Sequence, residues 1–359
     1  MDISISRLDD TFREQVAQRD PLALDSVLRR LPEINSAGDS VSISRVLKCL
    51  ELEGYIYGRE SLPDCLAAMR DIGFLVASMR RHGVDFPSRL PLLEGAMLGI
   101  SKATGMAPRE TVLHYCWWNP EGQRQRTFTG TSQESNLISA TRSSLPHTEK
   151  AAQILATLRH FHPRDPDYVM LGRQTEASIR KLAECVQLPQ SGLDAHHFAK
   201  DLRHYFLPVN IGGRHYHGAA AAQVPLYLID LAVWGDRAGE EIKGLWRDLA
   251  SYGLPVWRSL FQDFSEGRSL ILSMTSALAE AKDAVVEMSA QSLVRIIRAL
   301  VEFRGRHRRL VRTAYKGDEG AYSEGSSGAT PELIDQLLSE TRKCSTAVSG
   351  ALCQREAGN

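Results

Sequence analysis

Between residues 61 and 82 the apolar side chains Leu62, Cys65, Leu66, Met69, Ile72, Phe74, Leu75 and Met79 recur at steps close to three and four. That is the period of one helix face, and His82-Gly83 closes the run as a helix C-terminus does. The same period dominates the rest of the chain. Pro87 and Pro91 precede the amphipathic run LLEGAMLGISKATG, and Pro108 reads as the first turn of another helix, with Glu110 near its positive end. Further helices are predicted over 134–162, 172–187, 193–206, 218–234, 237–252 and 284–315, and a last one begins at Pro331. Period-two alternation is confined to QRTFTG (125–130) and PVNIGGRHYH (208–217), and no repeat of fixed length is present. Linkers are expected near Gly38, over 117–133 and over 317–330. The pattern predicts an all-α protein with a smaller N-terminal helical portion (1–105) and a large helical domain (106–359).

Composition narrows the partners. The 359 residues carry 43 basic and 43 acidic side chains, so no overall field favours nucleic acid. The most membrane-like stretch, GAAAAQVPLYLIDLAVWG (218–235), is broken by Gln223, Pro225 and Asp230 and reads as a core helix. The start, MDISISRLDD, has neither the basic nor the apolar region of a secretory signal. Six cysteines without a C-x-x-C pair fit reduced thiols in a cytoplasmic protein.

Within the last long helical pattern, Leu293, Ile296, Ile297, Leu300, Phe303, Leu310, Val311 and Ala314 form an apolar stripe, and His307 falls on it. Arg304, Arg306, Arg308, Arg309 and Arg312 flank it. A histidine in such a stripe is usually a packed core residue. The company suggests a second use, because haem takes an imidazole from a rigid element and cations beside its propionates. The loop over 317–329 contains Gly317, Gly320, Gly325, Gly328, Ser323, Ser326 and Ser327, and suits either a flexible connection or a lid. GAAAA (218–222) suits close helix packing or a flat ligand. His160-x-His162, His196-His197 and His215-x-His217 lack a recognised metal-ligand spacing, and no phosphate-binding glycine loop or nucleophile elbow is present. The two tryptophans of WWNP (117–120) are expected in the core.

MRDIGFLVASMRRHG (69–83), PRETVLHYCWWNP (108–120), RTFTG (126–130), VPLYLIDLAVWG (224–235) and FRGRHRRLVRTAY (303–315) together resemble the monodechloroaminopyrrolnitrin synthase family of pyrrolnitrin biosynthesis. The similarity runs in matching order over nearly the whole chain. More distantly, the helix over 291–315 and the following GSSGATPELIDQLLSETRKC resemble indoleamine and tryptophan 2,3-dioxygenases. The resemblance implies an all-α, indoleamine 2,3-dioxygenase-like fold whose large domain binds haem b through one histidine. His307 matches that ligand, and Tyr315 and Ser326 match a tyrosine and a serine that contact the bound amino acid. FAKDLRHYF (198–206) is similar to the dioxygenase segment that supplies a pocket phenylalanine and a carboxylate-binding arginine, here Phe198 and Arg203. Two departures stand out. GSSGAT leaves the dioxygenases' ammonium-binding threonine without a secure counterpart, and Ser327 stands where the synthase has glycine.

The expected function is a haem-dependent oxidation of L-tryptophan or a substituted, for example chlorinated, tryptophan in secondary metabolism, with indole rearrangement and decarboxylation as the implied outcome. O2 or H2O2 would be the oxidant, with an external electron donor as a further partner. The same scaffold suits indole dioxygenation or monooxygenation, tyrosine hydroxylation, or a haem-binding sensor without turnover. No nucleic-acid or membrane partner is expected.

Overall fold

The computed structural model describes residues 7–84, 90–185, 198–219, 221–280, 282–314 and 329–357. Helices dominate, as the periodicity predicts. Five short ones open the chain, α1 (Asp10–Ala17), α2 (Asp25–Arg29), α3 (Leu31–Ser36), α4 (Ser40–Lys48) and α5 (Glu53–Ile56). They lead into α6 (Leu62–Arg81) and α7 (Pro91–Thr104). The scaffold of the second half is α8 (Ser132–Leu158), α9 (Asp167–Cys185), α10 (Leu226–Trp234), α11 (Glu240–Ala250), α12 (Pro255–Glu266), α13 (Leu270–Glu280), α14 (Ala284–Ala314) and α15 (Pro331–Ala357). The long helices pack in series, α8 on α9, α9 on α14 and α14 on α15. Gly172 of α9 permits the close crossing of α14, since a methyl group there would meet the Ser292 side chain. One apolar cluster contains side chains from Val16 through Val348. The described fold is all-α apart from one small two-stranded hairpin, and no described helix is long and apolar enough to cross a membrane.

Helix α6 departs from a one-faced amphipathic reading, because every residue from Cys65 to Met79 is buried. Its small side chains at Ala67, Ala68, Gly73 and Ala77 let neighbours approach all round, and a methyl group on Gly73 would meet Glu110. Two buried charges, Arg70 and Asp71, are made tolerable by full pairing. Arg70 donates from Nε and Nη2 to Asp71 at 2.7 and 2.9 Å, and from Nη1 to the Val16 and Trp118 carbonyls at 3.1 Å each. Arg126 also donates to Asp71 and pairs with Asp25, so this network fastens the first helices to the 117–126 turn.

Elsewhere the pattern is corrected. No helix starts at Pro108. Arg109 and Glu110 form a buried ion pair instead, and the backbone winds into a π-turn over Leu113–Trp117. QRTFTG is no strand but a turn leading to the α8 N-cap at Thr131. PVNIGGRHYH does become extended, as the antiparallel pair β1 (Val209–Ile211) and β2 (Arg214–Tyr216). Gly212 and Gly213, with φ of +59° and +75°, supply the left-handed turn that a two-residue hairpin requires. Helices α12 and α13 were absent from the periodicity reading, although Val256, Trp257, Leu260, Phe261 and Phe264 repeat at helical spacing. All six cysteines are free thiols, as their spacing suggested.

Candidate functional site

Helix α14 passes through the core as far as Arg304 and then emerges. Leu293, Ile296, Ile297, Leu300 and Phe303 are buried, whereas His307, Leu310 and Val311 are half-buried. The stripe therefore loosens at His307. One turn earlier the Phe303 ring lies nearly parallel to the imidazole, with centroids 6.1 Å apart and planes at 8°. Phe303 belongs to a small buried cluster with Leu182 and Ala183, against which Leu226 packs. Arg306 donates to the Ala183 carbonyl at 3.0 Å, which fastens this turn of α14 to the end of α9. Burial, with the nearby Arg304 cation as second cause, holds the His307 imidazole at about 4, so it is neutral at pH 7. Among the described residues no group hydrogen-bonds either of its ring nitrogens.

The flanking arginines are more committed than their spacing suggested. Arg304, three residues before His307, pairs inside the protein with Asp230 of α10, and both side chains are less than a tenth exposed. Burial pushes the Asp230 carboxyl up, against the pull of Arg304. The Trp234 indole also faces the Asp230 carboxylate and favours its charged form, while among the described residues Arg304 Nε is buried without a hydrogen-bond partner. Arg306 binds Glu302 at 2.5 Å, while Arg308 and Arg312 reach Asp335 of α15 at 2.8 and 3.1 Å. Arg309 is exposed. The arginine run thus serves chiefly to lock α14 against α10 and α15.

The second predicted group lies on irregular helix. Of the helix predicted over 193–206, residues 198–206 are described, as a π-turn (Phe198–Leu202) and a 3-10 turn (Arg203–Phe206). The half-buried Phe198 stacks loosely on Phe206, with centroids 6.3 Å apart. Arg203 is 7 % exposed. Tyr205 lies flat on Phe128 at 4.5 Å and 10°, and Phe206 meets Tyr115 edge-on at 5.3 Å. An aromatic cluster therefore holds the turn on its core side. The chain continues through the hairpin and returns at Gly218, whose N–H donates to the Phe206 carbonyl at 3.3 Å. Leu226 then packs against the small apolar cluster that contains Leu182, Ala183 and Phe303. The passage from Arg203 to Leu226 thus runs from the arginine turn to the apolar cluster shared by α9 and the His307 helix.

Gly218 explains part of the GAAAA run. A Cβ there would lie 2.5 Å from Phe206 Cα and 2.6 Å from its carbonyl oxygen, so the smallness serves a backbone contact. The run does not open a long helix either, since a 3-10 turn at Ala221–Gln223 precedes α10. Gly218→Ala should push the arginine turn outward and lower stability by about 1–3 kcal/mol, the usual range for overpacking. Urea unfolding would measure it, and a change below about 0.5 kcal/mol would show that the contact yields freely.

Tyr315, Ser326, His196, His197 and most of the 317–329 loop lie outside the described residues. His160, His162 and His215 are exposed, and half-buried His217 approaches Asp248 at 3.9 Å. No described group of three or more His, Cys, Asp or Glu side chains could hold a metal ion. A neutral imidazole whose nitrogens no described residue claims suits a metal that brings its own further ligands, so the residues present fit a haem.

The profile of the monodechloroaminopyrrolnitrin synthase PrnB family matches residues 9–342. The chain belongs to this synthase family. The match takes in both the arginine turn and the His307 helix. Synthases of this family are oxidative enzymes of pyrrolnitrin biosynthesis that act on a tryptophan derivative. The sequence reading missed two members of the synthase scaffold. Asp230 was seen only as an interruption of an apolar run, although an acid there already called for a buried cation. Glu134 of α8, buried beneath the aromatic cluster, carried the signal of a capping box, Thr131-x-x-Glu134.

Proposed function

We propose that the protein is a haem b-dependent oxidative enzyme that binds L-tryptophan or a ring-substituted tryptophan. Indole rearrangement with decarboxylation is the favoured outcome, as the family resemblance implies. The observation that carries the reading is His307, a neutral imidazole on the long, well-packed α14 whose nitrogens no described residue hydrogen-bonds. Neutrality at pH 7 leaves a lone pair for iron, and the α9 and α15 contacts fix its position. Haem, when bound, supplies activation of O2 or H2O2.

The protein's own residues bind and orient the amino acid. Arg203, with its planar fork of donors, is assigned to the substrate carboxylate, and Phe198 to the aromatic ring. Tyr315 and Ser326 are assigned to the amino-acid end through the family resemblance. Excluding water around Arg203 would strengthen its hold on a carboxylate, and its low exposure supports that role. An external electron donor is assigned as a further partner, and free thiols agree with a cytoplasmic setting.

The test uses the haem-loaded protein. L-tryptophan or a ring-chlorinated tryptophan should perturb the haem absorption at lower concentration than L-tyrosine and should support consumption of O2 or H2O2. Arg203→Ala should weaken the tryptophan response by roughly ten- to hundredfold and the indole response far less, as expected for loss of a charged hydrogen-bond partner. Equal losses for both ligands would remove the carboxylate role. A stronger response to tyrosine would move the substrate to a phenol.

A further inference from the structure

Glu134 has a role that the proposed function does not use. Its side chain is fully buried at the first turn of α8. Oε1 accepts from the Phe128 N–H at 2.8 Å and from the Tyr115 hydroxyl at 3.0 Å. Oε2 accepts from the Thr129 N–H and the Thr129 hydroxyl, both at 2.7 Å. None of these four donors is a cation. An acid buried with only neutral donors needs all of them, because each lost bond leaves charge or a polar group unsatisfied in a low-dielectric setting.

Two of the groups on this carboxylate belong to the residues that hold the arginine turn. Phe128 lies flat under Tyr205, and Tyr115 meets Phe206 edge-on. Phe74 packs on both Phe128 and Tyr115, at 4.6 and 5.6 Å, and closes the cluster from α6. Tyr205 and Phe206 follow Arg203 by two and three residues in the same short turn, and Phe206 also carries Phe198. The turn is itself irregular, a π-turn running into a 3-10 turn, so its own hydrogen bonds fix it less firmly than an α-helix would. Its register therefore depends on the rings beneath it.

We propose that Glu134, acting through Phe128 and Tyr115, is a positioning residue for the amino-acid subsite and sets where Arg203 and Phe198 stand. The proposal rests on the assignment of Arg203 to the substrate carboxylate. Glu134→Gln keeps the shape and reverses part of the hydrogen bonding. Whichever way the amide turns, its NH2 group faces a backbone N–H, of Phe128 or of Thr129. The turn at 126–130 must then shift, and drawing a charged hydrogen-bond donor away from its partner costs roughly ten- to hundredfold in affinity.

Haem-loaded parent, Glu134→Gln, Tyr115→Phe, Arg203→Ala and the Glu134→Gln/Arg203→Ala double variant would be titrated with L-tryptophan, reading the haem spectrum. Circular dichroism and haem content are read alongside. Glu134→Gln should keep its haem and weaken tryptophan by roughly ten- to hundredfold, the loss expected when a charged hydrogen bond is drawn out of reach. In the Arg203→Ala background the same change should add several-fold less than in the parent, because only the Phe198 contact is left for it to position. Tyr115→Phe removes a single hydroxyl and should weaken tryptophan by about threefold. It decides the matter alone if Glu134→Gln loses its fold or its haem. Parent-like binding in Glu134→Gln and Tyr115→Phe, with binding lost in Arg203→Ala, would overturn the positioning role. So would equal Glu134→Gln effects in both backgrounds, which marks general loosening. An Arg203→Ala variant that binds tryptophan normally would remove the carboxylate assignment itself, and the positioning role with it.

Discussion

Replacing His307 with alanine is expected to strip the protein of its haem. The loss should be roughly a hundredfold or more in retention, beyond what removal of an outer-shell partner typically costs. The fold itself should survive, since the side chain is half-buried and no described group hydrogen-bonds it. Free imidazole added to His307→Gly should restore part of the haem absorption by supplying the missing donor. His215→Ala and His217→Ala should behave as the parent does, because His215 is exposed and His217 faces Asp248. A normal Soret band in His307→Ala would place the ligand elsewhere.

The second large effect concerns stability. Asp230→Ala leaves the Arg304 guanidinium buried without its carboxylate, a change that typically costs about 3–5 kcal/mol. Asp230 and Arg304 are 2 and 7 % exposed, so solvent cannot take over the pairing. Exchanging both residues together, Asp230→Leu with Arg304→Met, removes both charges and should recover most of that loss. Urea denaturation of the apo-protein measures the cycle. Single and double variants all within about 1 kcal/mol of the parent would mean that the pair is open to water.

Much of this arrangement was legible in the sequence because helical periodicity reports burial directly. The stripe from Leu293 to Phe303 is the buried face of α14, and the break in apolar bulk at His307 marks where that helix leaves the core. The extended character of 208–217 was legible from its alternation, while the turn at Gly212-Gly213 that folds it into a hairpin was not read from it. What escaped depends on partners distant in sequence. Arg304 looked like one more member of a solvated basic run, and only Asp230, on a different helix, takes it inside. Glu110 looked like a helix-start acid, whereas Arg109 and the close passage of Gly73 bury it. RTFTG alternates as a strand does, yet Glu134 gathers its backbone N–H groups into a turn. In each case a buried ion pair or carboxylate overrode local pattern. The site itself was legible chiefly through family resemblance, because one histidine and one arginine carry no spacing signature.

The central claim, a haem enzyme for a tryptophan-type substrate, is tested most directly by the visible spectrum of the purified, haem-reconstituted parent. Without ligand it should show one haem b per chain in a histidine-ligated state. Addition of L-tryptophan or a ring-chlorinated tryptophan should shift that spectrum saturably, at lower concentration than L-tyrosine does. A protein that takes up no stoichiometric haem, or whose haem spectrum is indifferent to every aromatic amino acid, would contradict the account.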